Sequence, residues 1–466
     1  MTRRIAVVGA GMAAARFAER FQALGGDAEV TLYGAEPRAP YNRVLLADVL
    51  TGRYTADDLT LPAGEAQLRT GCEVTALDVV AHTLRLADGT QVPYDELVLA
   101  TGAGPVLPGC LRTDPAATGP GTGAGTPRPA AGARVPHGGP GPADGAEAAA
   151  RGALRKGGVH VVRTAADVER LAGAAVHARR AVVIGGGILG VGVARALAAA
   201  RPALRAASSR AGRRASAPGR AGAPAPDVTV VHQAAHLNER QLDGHAGALL
   251  QLGLAGLGVG VRTGTRVRAL HGADHVTAVE LSDGQTLDAD LVVLACGVQP
   301  RTALARAAGL PVRTGVVVDD RLSCAPGVYA IGDCAEHRDR THGTAGAAWE
   351  QADVLAARLS GAAPDAAYAG SRPYARLSAG PLEYAAFGDP AADEDAAADG
   401  VDVLRIADAT RGSYKKLVLR GDRIAGAILL GDLATVGALA RAYERDEPVP
   451  ADPFHLLSSP TLQGAS

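Results

Sequence analysis

Two glycine-rich segments hold the spacing most suited to chemistry in this chain. They are Gly9-x-Gly11-x-x-Ala14 and Gly185-x-Gly187-x-x-Gly190. In this pattern the first glycine permits a tight turn, and the second leaves room for a pyrophosphate over a helix N-terminus. The third slot takes Gly or Ala so that helix and strand pack closely. Unpaired N–H groups at such a helix start stabilise negative charge. One motif alone would carry little weight in a chain with 60 glycines. Two of them, each following an apolar run, imply two bound dinucleotides. The natural chemistry for that pair is hydride passage from a nicotinamide to a flavin.

Few side chains declare which nucleotide they read. Glu36 is the candidate for the adenosine ribose hydroxyls of the first site, although it lies slightly late for the usual spacing. In the second site an acid at the end of the next strand would favour NADH, and an arginine NADPH. The sequence has His232-Gln233 there, which meets neither rule. Arg240 is either a phosphate contact or a helix surface residue, so NADH and NADPH both stay open.

The elements that must position these residues follow from the apolar pattern. Residues 4–9, RIAVVG, read as a buried parallel strand, followed by a helix to about Leu24 and a strand at 29–33. Residues 181–185, AVVIG, open a second such unit, with a helix toward Ala200 and a strand at 227–232. Asp88-Gly89 and Asp283-Gly284 are hairpin signals. Strands are expected at 96–100, 290–295, 315–320 and 327–333, and a helix from near Gly346 to Leu359. Residues 414–431 read as two antiparallel strands joined at Gly421-Asp422, followed by a helix over about 433–444. The fold class is therefore α/β: two Rossmann-like βαβ dinucleotide-binding domains with a small C-terminal α+β domain.

Composition divides the chain further. From about Arg112 to Arg151 it is Gly, Pro, Ala and Thr with almost no large apolar residue, and 201–226 holds six arginines among Gly and Pro. The expected division is a first part of the FAD-binding domain over 1–111 and a low-complexity insertion over 112–157. An NAD(P)-binding domain over 158–295 carries the second insertion at 201–226. The second part of the FAD-binding domain spans 296–362, the small domain 363–455 and a tail 456–466.

The balance of 47 basic against 48 acidic residues argues against a nucleic-acid partner. No apolar run is long enough to span a membrane, and Gly9 and Gly11 inside the first apolar run argue against an export signal. The five cysteines, Cys72, Cys110, Cys296, Cys324 and Cys334, form no C-x-x-C pair. Zinc or iron–sulfur ligation and a disulfide framework are not expected, and a cytoplasmic location is.

At this point the chain resembles the FAD-dependent pyridine nucleotide oxidoreductases of the glutathione-reductase-like superfamily. The resemblance rests on the two fingerprints, ELVLATGAGP at 96–105 and GVYAIGDCAEH at 327–337. Three further strings resemble the flavin-binding N-terminal half of the assimilatory nitrite reductase large subunit. They are GAEPRAPYNRVLLADVLTG at 34–52, VVHQAAHLNERQLD at 230–243 and SYKKLVLRGDRIAGAILLGDLATVGAL at 413–439. The resemblance implies that Gly332-Asp333 contacts the flavin ribityl or pyrophosphate region and that Thr101 and Gly102 close over the FAD domain. It implies that Arg43 lies near the flavin, and that Trp349, Glu350 and Gln351 begin the helix beside the isoalloxazine.

Departures from the pattern matter as much. Many relatives place a Glu after the second fingerprint, where this chain reads Gly190-Val191-Gly192-Val193. Some carry Ser-Lys where this chain has Ala47-Asp48, and the dithiol members have a cysteine pair near the flavin that is missing here. No catalytic side chain is expected. The nitrite reductase subunit continues into an iron–sulfur and sirohaem region for which the dispersed cysteines offer no ligands. The expectation is an electron-input component: FAD, with NADH or NADPH as co-substrate, passing electrons to a redox protein acceptor such as a nitrate or nitrite reductase subunit. The small domain would supply a partner or subunit surface, with a homodimer as one arrangement. The competing readings are an NAD(P)H:ferredoxin or rubredoxin reductase and a non-enzymatic FAD-binding redox-sensing subunit.

Overall fold

Each glycine-rich turn leaves the central strand of its own parallel sheet. The computed structural model describes residues 2–108, 156–199, 226–379, 382–390, 400–408, 410–450 and 452–457. The first sheet orders its strands as 323–325, 328–330, Glu96–Leu99, Arg4–Val8, Glu29–Gly34 and Gln67–Thr70. The second runs 259–262, Asp227–Val231, Arg180–Ile184, Leu291–Leu294 and 159–161. The second sheet is parallel throughout. The first is parallel except at its 323–325 edge.

The two central strands share one burial pattern, an exposed arginine followed by four buried apolar residues. That is what a strand covered on both faces requires. Their registers also agree. Val8 lies between Tyr33 and Leu99, and Ile184 between Val231 and Leu294, so each turn opens at the same edge of its sheet.

The two aspartate–glycine hairpins form where expected, between 83–86 and 91–93 and between 278–281 and 286–288. In each case a third strand, 74–78 or 267–271, completes a small antiparallel sheet that the sequence pattern did not announce. The chain crosses between the two large sheets through Ala103–Pro105 and Val298–Pro300, which pair antiparallel.

The C-terminal part is a five-stranded antiparallel sheet in the order 374–379, 382–388, 423–430, 413–420, 401–408. The hairpin across Gly421-Asp422 and the following helix, Val436–Glu444, were legible, while the strands at 374–379, 382–388 and 401–408 were not. This sheet docks on the start of helix Gly244–Gly256. Asp243 caps that helix and also meets the Tyr414 hydroxyl at 2.7 Å and the buried Lys416 ammonium at 3.3 Å. Beyond 455, where a tail was expected, Leu457 is buried and its carbonyl accepts from Lys415 Nζ at 2.8 Å.

Residues 112–155 and 201–225 of the two expected insertions, and Cys110, lie outside the described residues. Among those that are described, no helix is long and apolar enough to cross a membrane.

Candidate dinucleotide and flavin sites

The two turns are nearly superimposable in their demands. Gly9 has φ +115° and Gly185 φ +113°. A Cβ on Gly9 would stand 2.2 Å from the Ala100 carbonyl oxygen, and one on Gly185 2.2 Å from that of Ala295. Both positions therefore require glycine by conformation and by space. The middle glycines face room instead. Around a Cβ on Gly187 nothing lies within 4 Å, and Gly11 would meet only Arg43 Nε at 4.0 Å. Helix Met12–Ala23 begins at Gly11 with no side-chain cap, and neither it nor helix Ile188–Ala199 has an acid in its first turn. Open space over helix N–H groups is a cradle for an anion.

Around the first cradle the chain assembles two carboxylates and two guanidiniums. Arg43 Nη2 donates to Glu36 at 2.5 Å, and the Tyr41 hydroxyl donates to the other Glu36 oxygen at 2.7 Å. The Arg43 guanidinium lies over the Tyr41 ring, 4.8 Å from its centroid. Burial pushes the Tyr41 phenol up to about 12, so it stays a donor at neutral pH. Arg43 Nη1 donates to the Arg163 carbonyl at 3.0 Å. The Arg163 side chain in turn reaches Asp333 at 2.5 Å and the Ala103 carbonyl at 3.1 Å. A continuous polar path thus runs from Glu36, past the end of the second strand, to Asp333.

Sequence reasoning missed Arg163. The only local signal there is Thr164-x-x-Asp167, a capping box that both partners complete. It locates a helix start but says nothing about the arginine before it. The whole set suits FAD: an open cradle and two guanidiniums for the pyrophosphate, with carboxylates placed for ribose and ribityl hydroxyls.

The remaining expected residues divide. Gly332 has φ +76°, a Cβ on it would stand 3.0 Å from Ala13 Cβ, and its N–H donates to Gln351 Oε1 at 2.7 Å. Gln351 is buried, so this face of helix Ala345–Leu359 supports the Asp333 turn. Trp349 is 37% exposed and lines a surface depression with Met12, Ala15, Arg16 and Pro62. Glu350 accepts from the Ser371 hydroxyl. Thr101 Oγ donates to the Arg301 carbonyl at 2.8 Å, and the Gly102 carbonyl accepts from Arg301 N–H at 2.9 Å, beside the crossing strands. Among the described residues Cys72, Cys324 and Cys334 are free thiols. Burial pushes Cys324 up to about 12 and Cys334 upward as well, which suits packing rather than nucleophilic attack.

The two departures from the family pattern face one another. Asp48 is buried and takes Arg195 Nη2 at 2.8 Å. A Cβ on Gly192 would lie 3.3 Å from Ala47 Cβ. The carboxylate at 48 is thus paired with a cation at 195, three residues beyond Gly192.

In the second site His232 is buried at the end of its strand, and its Nδ1 accepts the Gly186 N–H at 3.1 Å. Its Nε2 meets Glu239 Oε2 at 2.8 Å. Gln233 and Arg240 are exposed.

A family model described as pyridine nucleotide-disulphide oxidoreductase matches residues 3–352, and one described as the rubredoxin NAD+ reductase C-terminal domain matches 373–446. A nitrite reductase [NAD(P)H] of Bacillus subtilis (strain 168) is 32% identical over 96% of this chain and 48% of its own length. The assimilatory nitrate reductase electron transfer subunit of the same organism is 30% identical over 92% of this chain and 48% of its own length. This chain thus spans about half the length of these curated relatives. The covalent putidaredoxin reductase–putidaredoxin complex superposes with a TM-score of 0.72 at 25% identity, covering 98% of this chain and 96% of that one.

Proposed function

This chain belongs to the pyridine nucleotide-disulphide oxidoreductase family, and on that premise we propose that it carries electrons from a reduced nicotinamide dinucleotide through FAD to a separate redox protein. It is an NAD(P)H:acceptor oxidoreductase. The observation that carries this reading is the pairing of two open glycine cradles over helix N-termini, only one of which is ringed by Glu36, Arg43, Arg163 and Asp333. That one takes FAD, and the Gly185–Gly190 turn takes the nicotinamide dinucleotide.

FAD, when bound, supplies a ring that accepts a hydride and can release electrons singly. The protein's own contribution is binding, orientation and electrostatics. Arg43 and Arg163 would hold the pyrophosphate, Glu36 the adenosine ribose and Asp333 the ribityl hydroxyls. Gly9, Gly11 and Ala14 shape the first turn, and Gly185, Gly187 and Gly190 the second. Gln351 keeps the Asp333 turn in place. Thr101 and Gly102 sit beside the crossing strands, where they would keep the two nucleotide sites in register. Residues 1–111 with 296–362 form the flavin half in this assignment, 158–295 the nicotinamide half and 363–455 the small domain.

The acceptor we assign is a protein of nitrate or nitrite assimilation in the cytoplasm. The names of the two Bacillus relatives support it. The match of residues 373–446 to a rubredoxin reductase domain, and the partner of the superposed reductase, support a small redox protein as the immediate recipient. A coupled assay tests this. The purified protein is supplied with NADH or NADPH and, in turn, a ferredoxin, a rubredoxin and a nitrite reductase, while nicotinamide oxidation is followed without oxygen. Turnover that begins only on adding one of these proteins supports the reading. Equal turnover with and without every one of them contradicts it.

A further inference from the structure

The second fingerprint has no acid at the end of its adjoining strand, because His232 occupies that place. The structure shows what the histidine does there. The Gly186 N–H points at Nδ1, so that nitrogen accepts, and the ring proton on Nε2 is the one Glu239 takes. The Gly186 carbonyl is engaged too, by the N–H of Asn238 at 3.0 Å, with Asn238 in the left-handed region at φ +53°. Both backbone polar groups of the central fingerprint residue are therefore bound by the segment that carries Glu239. Leu237 closes the contact, since a Cβ on Gly186 would stand 2.5 Å from its Cδ2. Glu239 is held one imidazole ring away from the turn, and its carboxylate remains one-third exposed.

We infer that Glu239, positioned by His232, reads the adenosine ribose of the nicotinamide dinucleotide and makes the site select NADH over NADPH. A carboxylate accepts hydrogen bonds from the two ribose hydroxyls and repels a 2′-phosphate. Glu239 is thus the binding residue and His232 a positioning residue. The acid usually found at the strand end has been moved to the following loop and tethered back. Arg240, the neighbour that would argue for a phosphate, is exposed and outside this network.

The inference rests on the assignment of the second turn to the nicotinamide dinucleotide. Calorimetric titration with ADP-ribose and with 2′-phospho-ADP-ribose tests it, since these ligands need no flavin reduction. The wild-type protein is expected to bind ADP-ribose at least tenfold more tightly. Glu239→Gln is expected to weaken ADP-ribose about tenfold and to narrow the gap between the ligands. His232→Phe, which keeps the ring but not its nitrogens, should give a smaller shift in the same direction. Arg240→Ala should leave the ratio unchanged. A wild-type preference for the 2′-phosphate, or an unchanged ratio in folded Glu239→Gln protein, overturns the inference while leaving the second site standing. Binding of neither ligand by the wild-type protein overturns the nucleotide assignment itself.

Discussion

The two dinucleotide turns are the same backbone device with opposite side-chain solutions. In the first, the turn residue Ala10 carries a methyl and the facing strand residue, Gly34, has none; a Cβ on Gly34 would stand 2.7 Å from Ala10 Cβ. In the second the assignment is reversed. Gly186 lacks the methyl, and His232 fills the space, its Cγ 2.8 Å from where that Cβ would be. One contact admits only one side chain: the turn residue supplies it in the first site and the residue after the facing strand in the second. In the first site Glu36 is braced by Tyr41 and Arg43. In the second Glu239 is braced by His232. The glycine turn is fixed by backbone geometry, whereas the side chains braced beside it differ between the two sites.

The largest effects on cofactor binding and turnover should come from filling one cradle at a time. Gly11→Glu places a like charge against the flavin pyrophosphate, and about 3 kcal/mol of repulsion would weaken FAD about 100-fold. Purified protein should then be nearly colourless. Gly187→Glu should keep its flavin and lose its reduction by nicotinamide. Flavin content and anaerobic bleaching, measured on both variants, check this, and loss of FAD in Gly187→Glu instead would reverse the assignment of the two sites.

Next come the buried and exposed ion pairs of the two fingerprint helices. Asp48–Arg195 is nearly sealed, with side chains 9% and 12% exposed, whereas Arg16–Asp353 is more than a third exposed on both sides. Asp48→Ala would strand a buried guanidinium at a cost of about 3–5 kcal/mol. Asp353→Ala should cost about 1 kcal/mol or less. Denaturant unfolding of the two variants measures the difference, and equal losses would remove the contrast.

The third fingerprint slot gives a smaller test, the same exchange in two directions. Gly190→Ala forces a Cβ to within 1.9 Å of the Gly185 carbonyl oxygen and should cost about 3 kcal/mol. Ala14→Gly loses a buried methyl as well as helix propensity and should cost about 1–2 kcal/mol. Similar shifts in unfolding midpoint for both would mean that the two helices pack alike after all.

What the sequence disclosed follows this same division. The glycine turns, their central strands and both aspartate–glycine hairpins were legible because each is set by a few adjacent residues. Helix Ala345–Leu359 was legible from its apolar face, but which side chain supports the flavin turn was not. Gln351 and Trp349 are two residues apart on that helix, and only the fold decides that Gln351 is the buried one. The missed strands at 374–379 and 401–408 are the two edges of their sheet, where half-exposed side chains blur the alternation. Arg163 escaped because its partners, Arg43 and Asp333, lie 120 and 170 residues away in the chain. Glu239 escaped because its position depends on a ring nitrogen of His232. The first is a long-range contact that spacing cannot show, and the second is a contact across seven residues that only the loop geometry brings about.

The central claim is that a nicotinamide bound at the Gly185–Gly190 turn reduces a flavin bound at the Gly9–Ala14 turn. Anaerobic titration of the flavin-loaded protein with NADH and, separately, NADPH tests it most directly, read by flavin absorbance. The account predicts complete bleaching by NADH near one equivalent per flavin, with NADPH less effective. A flavin that stays oxidised with both nucleotides would contradict it.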